Sequence, residues 1–371
     1  MRQTTANLDS SRELRLGSRS FGLALGGEYR YENYLTYAGD ADSYFGTGAD
    51  GANGLRPSEE VDLDRNVLGS YAELSGDLTD RLLVDAATRW EHYDDAGSTL
   101  TGKLSGRTEQ LALRGAISNN FRAPSLAQVG FQHATSNFGT GGTLTDIRVL
   151  SVNDPIARAL GAEDLKPETS KNFSLGLTAQ LSERFDASLD VFRIDVKDRI
   201  TLSQRIGSDA LEQYINNNLG VAGVHDVNFF TNAADTRTDG AELVLNYHQP
   251  WLDGQLGLTS AYTWNHTKVT KTKGTSSQLS ALGIGDDALV GVEERNTLTD
   301  AAPRDRLMFS ANWASQHWGL LGRLTRQARP PACSILATPS QSRRTTRYGS
   351  WTLRCSTHSR RHSTSRWAAI T

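Results

Sequence analysis

Phe173-Ser174-Leu175-Gly176-Leu177-Thr178-Ala179-Gln180-Leu181 is the stretch on which the fold turns: every odd position is apolar and every even one is small or polar. Side chains of a β-strand point alternately to its two faces, so this segment has one oily and one wet face. A helix, with its period of 3.6, would mix the two classes around its circumference. The same division recurs in Phe21, Leu23, Leu25, Tyr29 and Tyr31 against Glu28, Arg30 and Glu32. It recurs again in Leu82, Val84, Ala86 and Trp90 against Asp85, Arg89 and Glu91. Further instances are Leu111, Leu113 and Ile117; Ala241, Leu243, Leu245 and Tyr247; Leu256, Leu258, Tyr262 and Trp264; and Leu307, Phe309, Ala311 and Trp313. In one segment, Phe185 to Lys197, the apolar positions move from odd (Phe185, Ala187, Leu189, Val191) to even (Phe192, Ile194, Val196). That change of phase predicts either a β-bulge or a strand rising out of an apolar layer.

The connections between these strands alternate between short and long. Leu78-Thr79-Asp80, Ser182-Glu183-Arg184 and Ser315-Gln316-His317 are short; the long ones span roughly 38–61, 121–167, 201–226 and 271–301. Short turns on one side and long polar loops on the other are the mark of an outer-membrane β-barrel. Tyr29, Tyr31, Trp90, Tyr93, Tyr262 and Trp264 fall near the long-loop ends, where an interfacial girdle of aromatics belongs. The sequence therefore predicts an all-β fold, an antiparallel transmembrane β-barrel, with about eleven strands countable by their alternation.

Composition agrees. The chain has 34 glycines, 11 tyrosines and 7 tryptophans but only 2 methionines and 2 cysteines, a strand-and-turn composition. No run approaches the roughly 20 apolar residues that a membrane-spanning helix needs. A mean hydropathy of -0.46 is compatible with a barrel, whose strands show lipid only every second residue. Before Cys333 there is neither a disulfide nor a thiolate metal site. Met1-Arg2-Gln3-Thr4 lacks the apolar core of an export signal, so either the chain is soluble or its true start lies upstream.

Asn119-Asn120-Phe121-Arg122-Ala123-Pro124-Ser125-Leu126-Ala127-Gln128 carries a resemblance. Proline fixes φ and ends a ladder, and it pushes the preceding residue towards extended geometry, as at a strand that turns into a loop. Phe121, Arg122, Ala123, Pro124, Ser125 and Leu126 resemble the FRAPSL motif of TonB-dependent outer-membrane receptors. In family order around it stand Tyr71-Ala72-Glu73-Leu74, Arg89-Trp90-Glu91-His92-Tyr93 and Leu165-Lys166-Pro167-Glu168-Thr169-Ser170. Arg193-Ile194-Asp195-Val196-Lys197-Asp198-Arg199-Ile200 and Thr238-Asp239-Gly240-Ala241-Glu242-Leu243 complete the match, which covers about residues 15 to 325.

The resemblance implies a barrel of about 22 strands closed by an N-terminal plug. It also implies energy supplied through TonB, a Gram-negative outer membrane with its lipid, and a scarce nutrient as substrate. That nutrient is most often a ferric siderophore, with carbohydrate or cobalamin as the other options. Neither plug nor TonB box is recognisable here, and the expectation is a partial barrel over residues 1–325, cut short at both ends, with transport belonging to the intact parent.

From Arg326 the composition changes: 46 residues hold nine arginines, no lysine, aspartate or glutamate, and both cysteines. An Arg-rich run invites a nucleic-acid reading. The sharper expectation is that 326–371 is an aberrant, frameshifted tail and that no nucleic acid is bound. Codons built from the third base of one codon and the first two of the next can spell LWKLDAEVQYTLAEAFDLSVGGNN over Tyr348 to Thr371, a period-two pattern. Its Asp after Trp351 and its Gly after Trp367 are forced, since tryptophan has one codon.

Nothing in the sequence calls for a catalytic centre, a metal or a cofactor. His133, His225 and His248 lack partners at metal-ligand spacing. Gly139-Thr140-Gly141-Gly142 is not followed by the lysine of a phosphate loop. Asp40, Asp42, Asp50, Asp286 and Asp287 read as solvated loop charge rather than calcium ligands. Substrate-binding residues are not assignable. The competing classes are a passive porin or adhesin barrel, which fits the strands but not the motifs, and a secreted β-rich carbohydrate-active enzyme, which would need paired catalytic acids.

Overall fold

The computed structural model describes residues 1–45, 53–108, 112–138, 144–328, 350–359 and 367–370. In chain order its strands are β1 (Arg2–Leu16), β2 (Arg19–Thr36), β3 (Val61–Thr79), β4 (Leu82–Tyr93), β5 (Gly97–Thr108), β6 (Ala112–Arg122), β7 (His133–Phe138), β8 (Leu144–Leu150) and β9 (Glu168–Ser182). They continue as β10 (Phe185–Leu202), β11 (Ile206–Gly207), β12 (Val224–Trp251), β13 (Gly254–Thr272), β14 (Asp305–Ser315), β15 (Trp318–Gln327), β16 (Ser350–Ser359) and β17 (Trp367–Ile370). One antiparallel wall runs from β1 through β6 and on through β9, β10 and β12 to β17, each strand paired with the next. Among the described residues no pairing joins β1 to β17, so the wall is open.

The alternation read in the sequence is borne out inside out relative to a water-soluble core. Phe173, Leu175 and Leu177 are 52%, 43% and 36% exposed, and they point away from the wet face of Ser174, Gly176 and Thr178. Register places Leu113, Leu177, Leu189, Leu243, Tyr262 and Leu307 side by side across six neighbouring strands on this outer face. A continuous apolar band on the outside is stable only against lipid. Among the described residues no helix is long and apolar enough to cross a membrane.

β1 is absent from the strands countable in the sequence. Its composition, RQTTANLDSSRELRL, has no oily face, and all but one of its residues are exposed. It forms because all fifteen residues pair with β2. Within β16 and β17 the tail also forms ladder: β16 pairs along the whole of β15.

The change of phase in β10 is resolved in favour of a strand leaving the apolar layer. Its ladder with β9 is unbroken from Asp186 to Lys197, and with β12 from Phe185 to Val196. The outer face simply changes from Leu189 and Val191 to Arg193 and Asp195, which pair with Asp239 and Arg237 of β12, each at 2.6 Å. A bulge does follow, between Val196 and Arg199, with Asp198 at φ 54°.

Connections on one end of the wall are tight, such as Gly17-Ser18, Asp80-Arg81, Glu183-Arg184, Leu252-Asp253 and Gln316-His317. Gly17 takes φ 65°, a left-handed position that glycine occupies at no steric cost. The other end carries the long loops and the short helices α1 (Ala41–Tyr44), α2 (Leu126–Gly130), α3 (Pro155–Ala159), α4 (Asp209–Leu219), α5 (Ser277–Ala281) and α6 (Val292–Asp300). β12 has 28 residues, against the 9–11 that suffice to cross a bilayer, so its first half stands above the membrane. There it pairs parallel with β8 and antiparallel with β11.

Candidate functional site

At the loop end of the inner face the structure joins two motifs that lie far apart in the chain. Phe121 and Arg122 close β6, Glu168 opens β9, and Arg122 is the register partner of Glu168. The guanidinium grips that carboxylate with both nitrogens, Nη2 to Oε1 at 2.5 Å and Nε to Oε2 at 3.0 Å. Glu168 is buried, and its Oε1 also accepts the Ile200 N–H at 2.8 Å, which ties β10 to the same point. Pro124 ends the strand; Ser125 then caps α2, its hydroxyl accepting the Gln128 N–H while the Gln128 side chain accepts the Ser125 N–H, a capping box. Ala123 bridges this turn, and Leu126 is 3% exposed beneath it.

The second motif is clamped by a residue the sequence reading did not single out. Asn232 of β12 accepts the Lys166 N–H at 2.8 Å and donates to the Lys166 and Asp198 carbonyls at 2.9 and 2.6 Å. Leu165 and Pro167 flank this clamp in the extended approach to β9. Asp239 and Gly240 do not join the cluster. They lie on β12, where Asp239 faces Arg193 on the outer side and Gly240 faces Phe192. A Cβ on Gly240 would stand 2.1 Å from the Phe192 ring, so only glycine lets that ring lie across the strand.

Towards β2, the inner face carries a connected set of charges. Arg30 bonds Glu28 and Glu32; Arg89 bonds Glu28 and Glu91; Arg65 pairs with Glu32 at 2.6 Å. The Arg65 side chain, 7% exposed, also donates to the Pro124 carbonyl at 2.6 Å, and so anchors the strand-ending turn of the first motif. Tyr93 sits among them, 5.1 Å beneath the Arg65 guanidinium and edge-on to Phe121. Tyr93 thus departs from the expected girdle. Three residues from the outward-facing Trp90, it falls on the opposite face of β4. Tyr29, Trp90, Tyr262 and Trp264 do face outward, between 38% and 44% exposed. Glu28-x-Arg30-x-Glu32 and Arg89-x-Glu91 were legible as wet faces; that they neutralise one another, with Tyr93 among them, needed the register.

Above the wall three of the long loops, those within 121–167, 201–226 and 271–301, share an apolar core. Ile156, Ala157 and Leu160 of the loop between β6 and β9, Leu211 and Ile215 of α4, Leu279 of α5 and Val290 pack with Val224, Val227 and Phe229 of β12. Beside this cap a cleft of ≈ 320 Å³ is lined by Lys166, Asp198, Asn232, Asp235, Lys271 and Lys273, among others. Lys273 pairs with Glu163 across it at 2.9 Å, and this holds the Glu163 carboxyl below the usual carboxylate range. His133 contacts Glu59 and His225 contacts Glu212, single pairs in separate places. Asp50 and Gly139-Thr140-Gly141-Gly142 lie outside the described residues.

The sequence pattern of one family, described as TonB dependent receptor-like, beta-barrel, matches residues 2–354. The chain belongs to that family. As a TonB-dependent receptor barrel chain it is a protein of the Gram-negative outer membrane, from a family of transport receptors rather than enzymes. It is 27% identical over 183 residues to the probable TonB-dependent siderophore receptor PirA of Acinetobacter baumannii, covering 47% of this chain and 22% of that protein. It is 24% identical over 183 residues to the ferrienterobactin receptor of Escherichia coli, covering 48% and 23%. Its fold is that of the ferric enterobactin receptor PfeA of Pseudomonas aeruginosa, at TM-score 0.62 and 18% identity, over 97% of this chain and 46% of that one. The receptor chain therefore spans about half the length of the solved receptor and about a quarter of the curated relatives.

Proposed function

We propose that this chain supplies part of the barrel wall and of the extracellular cap of a receptor that takes up a ferric siderophore, driven through TonB. The observation that carries the reading is the cap itself. Three long loops, folded on one core at one end of a wall with a charged inner face, form a chamber roof of the kind a captured solute requires. Two relatives, a probable siderophore receptor and a ferrienterobactin receptor, support that substrate class. Transport is assigned to a closed barrel. In lipid, each backbone group left unpaired at the edges of β1 and β17, which have no second partner strand among the described residues, costs several kcal/mol, so this wall functions as part of a larger one.

The test is direct. Detergent-folded protein is titrated with ferric enterobactin, cyanocobalamin and a maltodextrin while tryptophan fluorescence is followed. Saturable quenching by the iron complex alone is expected; saturation by either of the others alone would replace the substrate class. Part of the same proposal is that 326–371 arose by frameshift, and sequencing of the gene on both sides of codon 326 decides it. An intact frame with no family-like alternative would refute that part.

A further inference from the structure

β5 pairs along all twelve of its residues with β4, and β6 along all eleven of its residues with β9, yet the two meet each other through six pairs, Gly102–Asn119 to Arg107–Arg114. From β1 to β16, no ladder between neighbouring wall strands is shorter among the described residues. Above Gly102 and Asn119 the strands part. The Asn119 side chain adds one rung at the base of this fork, accepting the Gly102 N–H at 2.8 Å and donating to the Leu100 carbonyl at 3.0 Å. Leu100, Leu104 and Ile117 are exposed beside it, so the fork lies in the apolar band. A groove of ≈ 530 Å³ runs along the seam, lined by Gly102, Leu104, Ile117 and Asn119 among others.

On both sides of the seam the inner face is braced by bonds that skip a strand. Tyr71 of β3 donates to Asp9 of β1 at 2.8 Å across Gly26 of β2, and Arg89 of β4 donates to Glu28 of β2 at 3.1 Å across Gly69 of β3. Arg114 of β6 donates through Nε to Asp190 of β10 at 2.9 Å across Gly176 of β9. A Cβ on Gly26 or Gly176 would stand 2.1 Å from its brace. Strands β1 to β4 thus form one braced arc and β6, β9 and β10 another, and among the described residues no such brace passes over β5. What joins the arcs otherwise lies above the fork. Arg65 of β3 donates to the Pro124 carbonyl at 2.6 Å, Tyr93 of β4 meets Phe121 of β6 edge-on, and Glu59 accepts the Ala134 N–H at 2.6 Å.

We propose that the β5–β6 seam is the hinge of this part of the wall, and that release of the Arg65 tie lets the two braced arcs part there, opening the wall sideways towards the outer leaflet. A brace resists bending because it joins strands that are not neighbours, so a change of angle breaks a charge-assisted bond as well as straining the ladder. At the seam, parting of the fork breaks only the two bonds of Asn119. Backbone groups left unpaired in lipid are costly, so the opening starts at the fork. There Gly97–Thr101 and Asn120–Arg122 have no ladder partner across it among the described residues. The hinge belongs to the wall and is independent of which solute the receptor carries.

The full chain, folded in detergent in a C333S/C355S background, is labelled with nitroxide pairs on its outer face. A86C/I117C spans the seam, since Ala86, Leu104 and Ile117 share one row. L113C/L189C spans the Gly176 brace over the same two strand spacings, about 10 Å, since Leu113, Leu177 and Leu189 share another. Dipolar line shapes are expected to give a distance distribution at least twice as wide across the seam as across the brace. Asn119→Ala widens the seam pair alone, and Arg114→Ala widens the brace pair alone. Arg65→Lys keeps a cation beside Glu32 without the guanidinium that reaches the Pro124 carbonyl, and widens the seam pair. Equal widths in the labelled parent chains, or a seam width that Asn119→Ala and Arg65→Lys leave unchanged, overturn the proposal. Equal widening of both pairs by either of these variants marks a general loosening and overturns it too. Should Asn119→Ala lose heat-modifiable migration, Asn119→Asp decides by the same criterion, because it keeps the acceptor for Gly102 and drops the donor to Leu100.

Discussion

Arg122 and Glu168 are 46 positions apart, and their contact is what holds the strand-ending turn of β6 against the start of β9. Replacing Arg122 with alanine leaves a buried carboxylate with the Ile200 N–H as its remaining partner at that oxygen. Because the arginine is half exposed, the loss is expected at about 1–2 kcal/mol, the lower part of the range for bonds to charged groups. A lowered urea midpoint of the detergent-folded protein measures it, with Arg122→Lys intermediate because it keeps the charge but not the fork. The Glu163–Lys273 pair gives a pH dependence of defined sign. A carboxyl held low in the folded state contributes stability above the ordinary glutamate value of about 4.3, and that contribution is lost as pH falls through the folded value. Carbon NMR of the Glu163 carboxyl is expected to show titration below that range and a return towards it in Lys273→Ala. An unchanged titration in the variant would discount the pair.

The elements divide into two stabilities. The wall strands are held by ladders and lipid, whereas the cap is held by burial of Leu160, Leu211, Ile215, Leu279 and Phe229 in a core of its own. Leu211 is fully buried, so Leu211→Ala is expected to cost about 2–5 kcal/mol by transfer and cavity terms. Since three loops share that core, hydrogen exchange should rise together in 144–162, 206–219 and 277–290 while β2 to β6 stay protected. Exchange confined to α4 would show that the loops do not act as one unit. β10 crosses from one regime to the other, which is why its apolar residues change face: below Val191 the oil is outside, and from Phe192 upward it is inside.

For the whole molecule the open edge at β1 is decisive. Its fifteen residues are paired on one side only among the described residues, so alternate amides have no acceptor. Hydrogen exchange in detergent is expected to be fast at every second β1 amide and slow along β9 and β10, which are paired on both sides. Uniform protection along β1 would mean that a second strand, from another copy or another segment, covers the edge.

Strand identity, the side on which the long loops lie and the family were legible in the sequence, because period-two alternation and proline-ended strands are local properties of the chain. Phe121 to Leu126, Leu165 to Glu168 and Asp239-Gly240 were legible as motifs but not as neighbours. Register alone brings Arg122 to Glu168 and leaves Asp239 two strands away on the outer face. β1 was invisible because a strand that borrows its order from a partner needs no oily face. Tyr93 and Tyr29 look alike in sequence, yet one is buried under two arginines and the other faces outward, a difference fixed by parity along the strand. The shared core of the cap, the neutralisation of the inner charges and the braces that skip a strand are sums over strands distant in sequence. Only the tertiary structure could decide them, since each depends on which residues the ladder sets side by side.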